Sequence, residues 1–491
     1  ETMLDNITVR EWMTSPVVSV SPSTPISNAH QMMKEYGIRR LPVVDNNKLV
    51  GIITIGDIRE ASPSDATTLS IWELNYLWAQ LTVERVMSRN VITVQPEDLI
   101  LDAATLMLNR KVSGLPVVEG RGRTLLPALI DMHGHESRWN AALQIAGGGT
   151  TVRDMGIDRA EMSEMTAAFD AGRWLGPRLW KACFIDGRSP FSSQGDGVAG
   201  SLDEALAIVD ECARKGYGQV KLYSSFQKDW IAPVAAHAHA LGMRMSGHVP
   251  AFVKATEAVS LGYDEIQHIN QVMLNFVAGP KDDTRTLARF YLVGERVADL
   301  DLDSPPVQDF IALLKSRQVS IDPTLATFED MFNQGPGDDS TAYAAVVAHL
   351  PVSHQRARRQ NQMAVTPATL AKFRQSWRGM LEMVRRLDAA GVPLVPGTDE
   401  IAGFTQHREL ELWTQAGIPA PRVLQLATAG SARFLKLDHE IGTIAPGHAA
   451  DLILVDGDPT RDISAVRRIA LVFQRGQAYS PSAIYTALGI K

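Results

Sequence analysis

From residue 121 onward the chain alternates short apolar runs with longer stretches whose apolar positions recur at helical spacing. A strand, a crossover helix and a further parallel strand form the unit that such alternation encodes, so a parallel α/β architecture is expected. Eight strands are predicted, centred on Leu129, Val152, Trp180, Val220, Ser246, Gln267, Asp322 and Val395. Eight is the number that closes a (β/α)8 TIM barrel. Beyond about Lys436 the pattern changes to short strands with Gly/Pro turns, in Gly442–Gly447, Ala450–Val455 and Val472–Gly476, which predicts a small C-terminal β appendage.

The first 120 residues follow another pattern, and it repeats. Met13-Thr14-Ser15-Pro16-Val17-Val18 returns 74 residues later as Met87-Ser88-Arg89-Asn90-Val91-Ile92. The same offset relates Gly37-Ile38-Arg39-Arg40-Leu41-Pro42-Val43-Val44 to Lys111-Val112-Ser113-Gly114-Leu115-Pro116-Val117-Val118. Each copy runs from a β-branched strand through a Met-rich helical stretch to a short Pro-Val-Val strand, a β-α-β unit. The first copy continues into Gly51-Ile52-Ile53-Thr54-Ile55-Gly56-Asp57. In the second, that stretch has become Leu125-Leu126-Pro127-Ala128-Leu129-Ile130, so the repeat stops near Gly120. The expected domains are therefore 1–120, the repeat pair with an incomplete second copy; 121–435, the barrel; and 436–491, the β segment.

Composition narrows the partners. A content of 45% hydrophobic and 21% charged residues suits a globular chain. A net charge of −7 without a Lys/Arg-rich block argues against nucleic acid and anionic membranes, leaving small molecules or short peptides. No run reaches the roughly 18 apolar residues of a membrane span, and the first residues lack the plan of a signal peptide. Cys183 and Cys212 are too few for a disulfide framework and lie outside any Cys-x-x-Cys pattern, which favours a reducing compartment. A cytoplasmic homo-oligomer is the expectation.

The candidate chemistry sits at strand ends. His133 and His135 follow the apolar strand Leu125–Asp131, and residues two apart in a strand point to the same side. Lys221 lies on the fourth strand, His248 on the fifth, His268 on the sixth, and Asp399 follows the eighth. Barrel enzymes build their active sites at that end of the strands. An imidazole or a charge there must find a partner, and a metal ion supplies one. Tyr223, two residues beyond Lys221 on the same strand face, is a candidate to bind a substrate carboxylate or oxyanion, and His407 in the loop after Asp399 is a candidate to reach substrate. His237 and His239 point apart on a helical stretch and read as solvated. His448, in a Pro-Gly turn, reads as structural.

Two resemblances follow. The repeated N-terminal segments look like a CBS (Bateman) pair, a family that binds adenine nucleotides. That resemblance implies a site whose ribose contacts are Thr54 and Asp57. The rest of the chain resembles the amidohydrolase superfamily, closest to its imidazolonepropionase- and prolidase-like branch. It does so through Leu125–His135, Thr150-Thr151-Val152-Arg153-Asp154-Met155-Gly156 and Gly442–Asp451. It implies two Zn²⁺ ions per chain, one held by His133, His135 and Asp399 and the other by His248 and His268. Lys221, carboxylated on its amine, would bridge them, and Asp399 would act as the catalytic proton carrier. The implied activity is hydrolysis of amide, peptide or cyclic amide C–N bonds. That branch carries β structure before its first barrel strand, and the CBS repeats occupy its place, so half of the small β sandwich is expected to be missing. The rival readings are a nucleotide sensor with an impaired barrel and a mononuclear deaminase on the same barrel.

Overall fold

The computed structural model describes residues 8–46, 48–61, 81–89, 91–110, 122–193, 195–359, 361 and 363–490. The chain forms two compact units, Glu1–Arg123 with Phe473–Ser480, and Thr124–Val472 with Pro481–Lys491.

In the first unit the repeat is visible as geometry. Helices Val9–Trp12 and Val83–Val86 start 74 residues apart, and so do helices Ile26–Glu35 and Ile100–Arg110. Strands Arg40–Asp45 and Lys48–Thr54 pair antiparallel, and Val20 bridges in parallel to Val43. Their inward residues pack with both copies: Ile26, Met33, Leu41, Val43, Ile53, Ile58, Val83 and Met87 form one buried cluster. The repeated segment Lys111–Val118 of the second copy, with its expected Pro-Val-Val strand, and Gly120 lie outside the described residues.

In the second unit, strands Leu129–Gly134, Gly149–Asp154, Arg178–Gly187, Gln219–Leu222 and Arg244–Gly247 pair in parallel, in chain order. Glu265–Gln267 pairs in parallel with Ser320–Asp322, and Ile321 bridges in parallel to Leu394. Each predicted centre falls in a strand except Val395, which flanks that bridge. The backbone continues where the ladder is interrupted: Asp264 N–H donates to Met245 O at 2.8 Å, and Met132 N–H donates to Pro396 O at 3.0 Å. Every residue of Leu129–Gly134 and Gly149–Asp154 is buried, as expected for a parallel sheet covered on both faces.

A charged network lies inside this curled sheet. The buried Arg153 guanidinium donates to Glu265 Oε2 at 2.6 Å and Asp322 Oδ2 at 3.2 Å, and through Nε to Met132 O at 2.6 Å. It thus ties the second strand to the first, sixth and seventh. A buried charge is tolerable only when paired in this way.

Three expectations are corrected. Leu125–Asp131 is not one strand: Arg123–Pro127 ends at a proline, which has no N–H to offer the next ladder, and a new strand begins at Leu129. The short strand lies beside Leu452–Asp456, which in turn adjoins Ile469–Gln474. Ala128 N–H donates to Asp451 O at 2.9 Å. The tail therefore does receive a strand from the segment preceding the sheet. Second, Gly442–Gly447 forms no strand. Third, Cys183 and Cys212 are joined by a disulfide, with Cα atoms 5.9 Å apart. It links strand Arg178–Gly187 to helix Leu202–Arg214. Cysteine counting misses such a pair because the two residues become neighbours only when the helix packs back on the strand. No helix among the described residues is long and apolar enough to cross a membrane.

Candidate metal centre

The strand ends converge. His133 lies near the end of Leu129–Gly134 and Lys221 within Gln219–Leu222, while His248 and His268 follow Arg244–Gly247 and Glu265–Gln267 directly. His268 and Asp399 have φ of 68° and 55°, a region that costs non-glycine residues energy and recurs at functional sites. The backbone is fixed in that shape by His268 N–H to Asp322 O at 2.6 Å and by Asp399 N–H to His133 O at 2.8 Å.

Distances define the cluster. Asp399 Oδ1 lies 3.2 Å from His135 Nε2 and 3.6 Å from His133 Nε2, and its Oδ2 lies 3.7 Å from His268 Nδ1. Lys221 Nζ is 3.0 Å from His133 Nε2. The rings of His248 and His268 are 4.6 Å apart. One ligand atom from each of His133, His268 and Asp399 can fall within 4.8 Å of the others. A cleft of about 310 Å³ opens over this group, lined by His135, Lys221, Tyr223, His248, His268 and Asp399 among others. The structure thus brings together all six expected ligands, with His133 fully buried beneath the cleft.

Outer partners fix the imidazoles. His133 Nδ1 lies 2.7 Å from Asp322 Oδ2, a contact that fixes the ring with Nε2 facing Lys221 and Asp399. Thr324 Oγ1 lies 2.8 Å from His268 Nδ1, and Ser224 Oγ 3.1 Å from His248 Nδ1. Burial drives the His133 and His248 pKa values well below the usual range, and that of His268 to about 3. All three are neutral at ordinary pH. Burial alone would push the Asp399 carboxyl up, but His135, His268 and Lys221 outweigh it and hold it at about 2. Burial lowers Lys221 to about 8 against the pull of Asp399 and Asp322. Neutral imidazoles and an ionised carboxylate, converging without enough protons to satisfy one another, form a donor set that fits a borderline divalent cation such as Zn²⁺.

The remaining candidates divide. Tyr223 lines the cleft, its ring 4.2 Å from that of His248. His407 does not line it, which corrects its expected substrate role. It is buried, and its Nε2 contacts Gly147 O at 2.7 Å, so it braces the turn that follows helix Arg138–Ala146 instead. Thr54 and Asp57, in the other unit, form a capping box at helix Ile55–Glu60: Thr54 N–H donates to Asp57 Oδ2 at 2.7 Å. His237 and His239 are not free on their helix but contact Asp210 and Asp264 at 2.7 and 2.8 Å. His448 contacts Thr443, as a structural residue does.

Sequence reasoning passed over Asp322, although it stands at the end of the seventh strand as the ligands stand at theirs. It also missed Arg289 and Asn270, cleft residues that follow no strand directly and carry no motif.

Residues 124–478 match the amidohydrolase family. The chain belongs to that family. Residues 9–64 and 83–126 match the CBS domain, in keeping with the repeat. Among solved structures, the amidohydrolase is similar to a Xaa-Pro dipeptidase with bound methionine in its active site, at 20% identity and a TM-score of 0.53, covering 74% of this chain and 89% of that one. It is also similar to a bottromycin amidohydrolase, at 20% identity and a TM-score of 0.57, covering 77% and 84%. The ochratoxinase of A. niger gives 15% identity and a TM-score of 0.53, covering 80% and 90%. These likenesses concern the fold. Among curated proteins, the homoserine O-acetyltransferase of Methanosalsum zhilinae is 38% identical over 117 residues, 24% of this chain and 21% of that protein. The CBS domain-containing protein YhcV of Bacillus subtilis is 28% identical over 124 residues, 25% of this chain and 81% of that protein. The amidohydrolase thus spans only about a fifth of the first of these relatives.

Proposed function

We propose that this amidohydrolase hydrolyses a C–N amide bond in a small, carboxylate-bearing substrate at a centre of two divalent metal ions. The observation that carries the reading is the convergence of four imidazoles, Lys221 and Asp399 under one cleft. The domains of this reading are the CBS pair, 1–120; a closed (β/α)8 barrel, 121–435; and the β segment, 436–491.

His133, His135 and Asp399 would hold one ion, His248 and His268 the other, with Zn²⁺ the best match to the donors. When bound, such ions make water nucleophilic at neutral pH and polarise a carbonyl. Lys221 suits the centre only without its positive charge, and burial already favours the neutral amine. Its reaction with carbon dioxide, forming an N–C bond and releasing one proton, would leave an anion to lie between the two cations. Asp399, ionised, takes a proton from the attacking water and returns it to the departing nitrogen. Tyr223, whose hydroxyl burial keeps protonated, donates to the substrate oxygen atoms.

Arg289 names the substrate charge. It lines the cleft, donates to Arg285 O at 3.2 Å and lies over the Phe290 ring. Among the described residues no carboxylate pairs with it. A half-buried cation left without an anion suits a carboxylate on the substrate, as at the C-terminal end of a dipeptide. Zinc-loaded protein should hydrolyse compounds with a free carboxylate next to the scissile amide. Arg289→Met should raise KM for them by about 10–100-fold, the effect of losing a hydrogen bond to a charged group. C-terminally amidated versions should be poor substrates for both proteins. Equal turnover of acid and amide by the unaltered protein would remove Arg289 from this role.

A further inference from the structure

The backbone that presents Asp399 is held in an unfavourable shape from several sides. Its φ of 55° is a left-handed conformation that a non-glycine residue keeps only where the surroundings over-determine it. Residues 399–403, which lead into helix Phe404–Gln415, form neither strand nor helix, so no regular hydrogen-bond pattern of their own fixes that shape. The sheet supplies part of the restraint: Thr398 Oγ1 donates to Asp131 Oδ2 at 2.8 Å, and Asp399 N–H donates to His133 O at 2.8 Å. Thr327, in helix Leu325–Asn333, adds a bond from its Oγ1 to Thr398 O at 2.8 Å.

The remaining restraint comes from the segment between helices Leu325–Asn333 and Pro367–Ala390. Asp399 lines the cleft, whereas Glu400, next to it in the chain, lines a second cavity of about 180 Å³. There Glu400 Oε2 accepts from the Tyr343 hydroxyl and from Arg358 Nη2, each at 2.8 Å, and the Arg358 guanidinium lies 4.1 Å over the Tyr343 ring. Two donors from one segment thus fix a single carboxylate oxygen. Ala342, Tyr343 and Leu350 also pack in one buried cluster with Ile401 and Phe404, so the segment grips the same loop through apolar contacts. It is anchored in turn. Thr341 and Ala342 N–H donate to Asp330 Oδ1 at 2.9 and 3.1 Å, and Gln334 Nε2 donates to Arg358 O at 2.8 Å. Glu400, Tyr343 and Arg358 do not line the cleft, so their contacts bear on the loop and not on a bound substrate.

Resting on the reading of Asp399 as metal ligand and proton carrier, we infer that Glu400, Tyr343 and Arg358 are positioning residues for it. The segment is a brace that holds Asp399 at the centre through its neighbour in the chain. With zinc-loaded full-length protein and a carboxylate-bearing amide, Glu400→Ala should lower kcat by about 10–100-fold, the effect of losing an outer partner of a metal ligand, with KM within about threefold. Glu400→Gln keeps an oxygen that both donors can reach, and should return kcat to within about threefold of the parent. In Asp399→Asn the brace has no proton carrier left to position. Adding Glu400→Ala to that variant should therefore lower the rate by no more than about twofold, whereas a general loss of stability would add in full.

Hydrogen exchange of the metal-free protein gives a readout independent of turnover. In Glu400→Ala the amides of residues 398–404 should exchange at least about tenfold faster, while those of strand Leu129–Gly134 stay as in the parent. If Glu400→Ala does not fold, Tyr343→Phe, which keeps the ring in its cluster and loses one bond to Glu400, should show the same pattern at about 2–10-fold. A kcat for Glu400→Ala within about threefold of the parent, full additivity with Asp399→Asn, or unchanged exchange over residues 398–404 would each overturn the inference. Absence of turnover on every amide would overturn the hydrolase reading instead, and the exchange comparison would still decide on the brace.

Discussion

Replacing His133 or His248 with alanine should lower hydrolysis by more than about 100-fold and reduce bound metal in both variants. Loss of an outer partner of a metal ligand typically lowers affinity or activity by 10–100-fold, so loss of the ligand itself should exceed that range. The two positions test different halves of the centre. His133 is fully buried and oriented by Asp322, while His248 is oriented by Ser224. His133→Ala also strips Asp322 of a buried partner, so its thermal stability must be followed alongside activity. His248 leaves behind only a hydroxyl, and its variant should stay closer to the parent in stability. Metal content equal to the parent in both variants, measured by elemental analysis, would refute the ligand assignment.

Asp399→Asn should behave differently. The asparagine side chain keeps an oxygen of the same reach, so most of the metal should remain, yet it cannot accept a proton from water. General acid–base groups typically contribute about 10²–10⁴-fold, and kcat should fall within that range. The physical basis is the unusual position of this carboxyl. It is only 24% exposed on its side chain, and against the effect of burial its hydrogen bond with His135 favours the ionised form. An ionised carboxylate can accept a proton from a water made more acidic by bound metal ions. Retention of activity within about tenfold would remove Asp399 from the proton-carrying role.

Much of this was legible in the chain because the ligands occupy equivalent places in successive β-α units. A parallel sheet puts the end of each strand on one face, so ionisable residues at the ends of Leu129–Gly134, Gln219–Leu222, Arg244–Gly247 and Glu265–Gln267 must meet there. The 74-residue repeat was legible for a similar reason, since copies of one unit keep their helix starts in register. What sequence periodicity does not encode is contact between elements distant along the chain. Cys183 meets Cys212 only after a helix folds back, and His407 turns inward to Gly147 rather than toward the cleft. Arg289 and Asn270 reach the cleft from helix starts, where no alternation of apolar and polar positions marks them out. Pro127 did leave a sign, because a proline inside an expected strand signals an end to its ladder.

The central claim is a two-ion hydrolytic centre, and metal titration of stripped protein with simultaneous rate measurement tests it most directly. Activity on a carboxylate-bearing amide should rise with added zinc and level off near two equivalents per chain, the stoichiometry of a two-metal site. A plateau near one equivalent, or full activity in the metal-free protein, would contradict it.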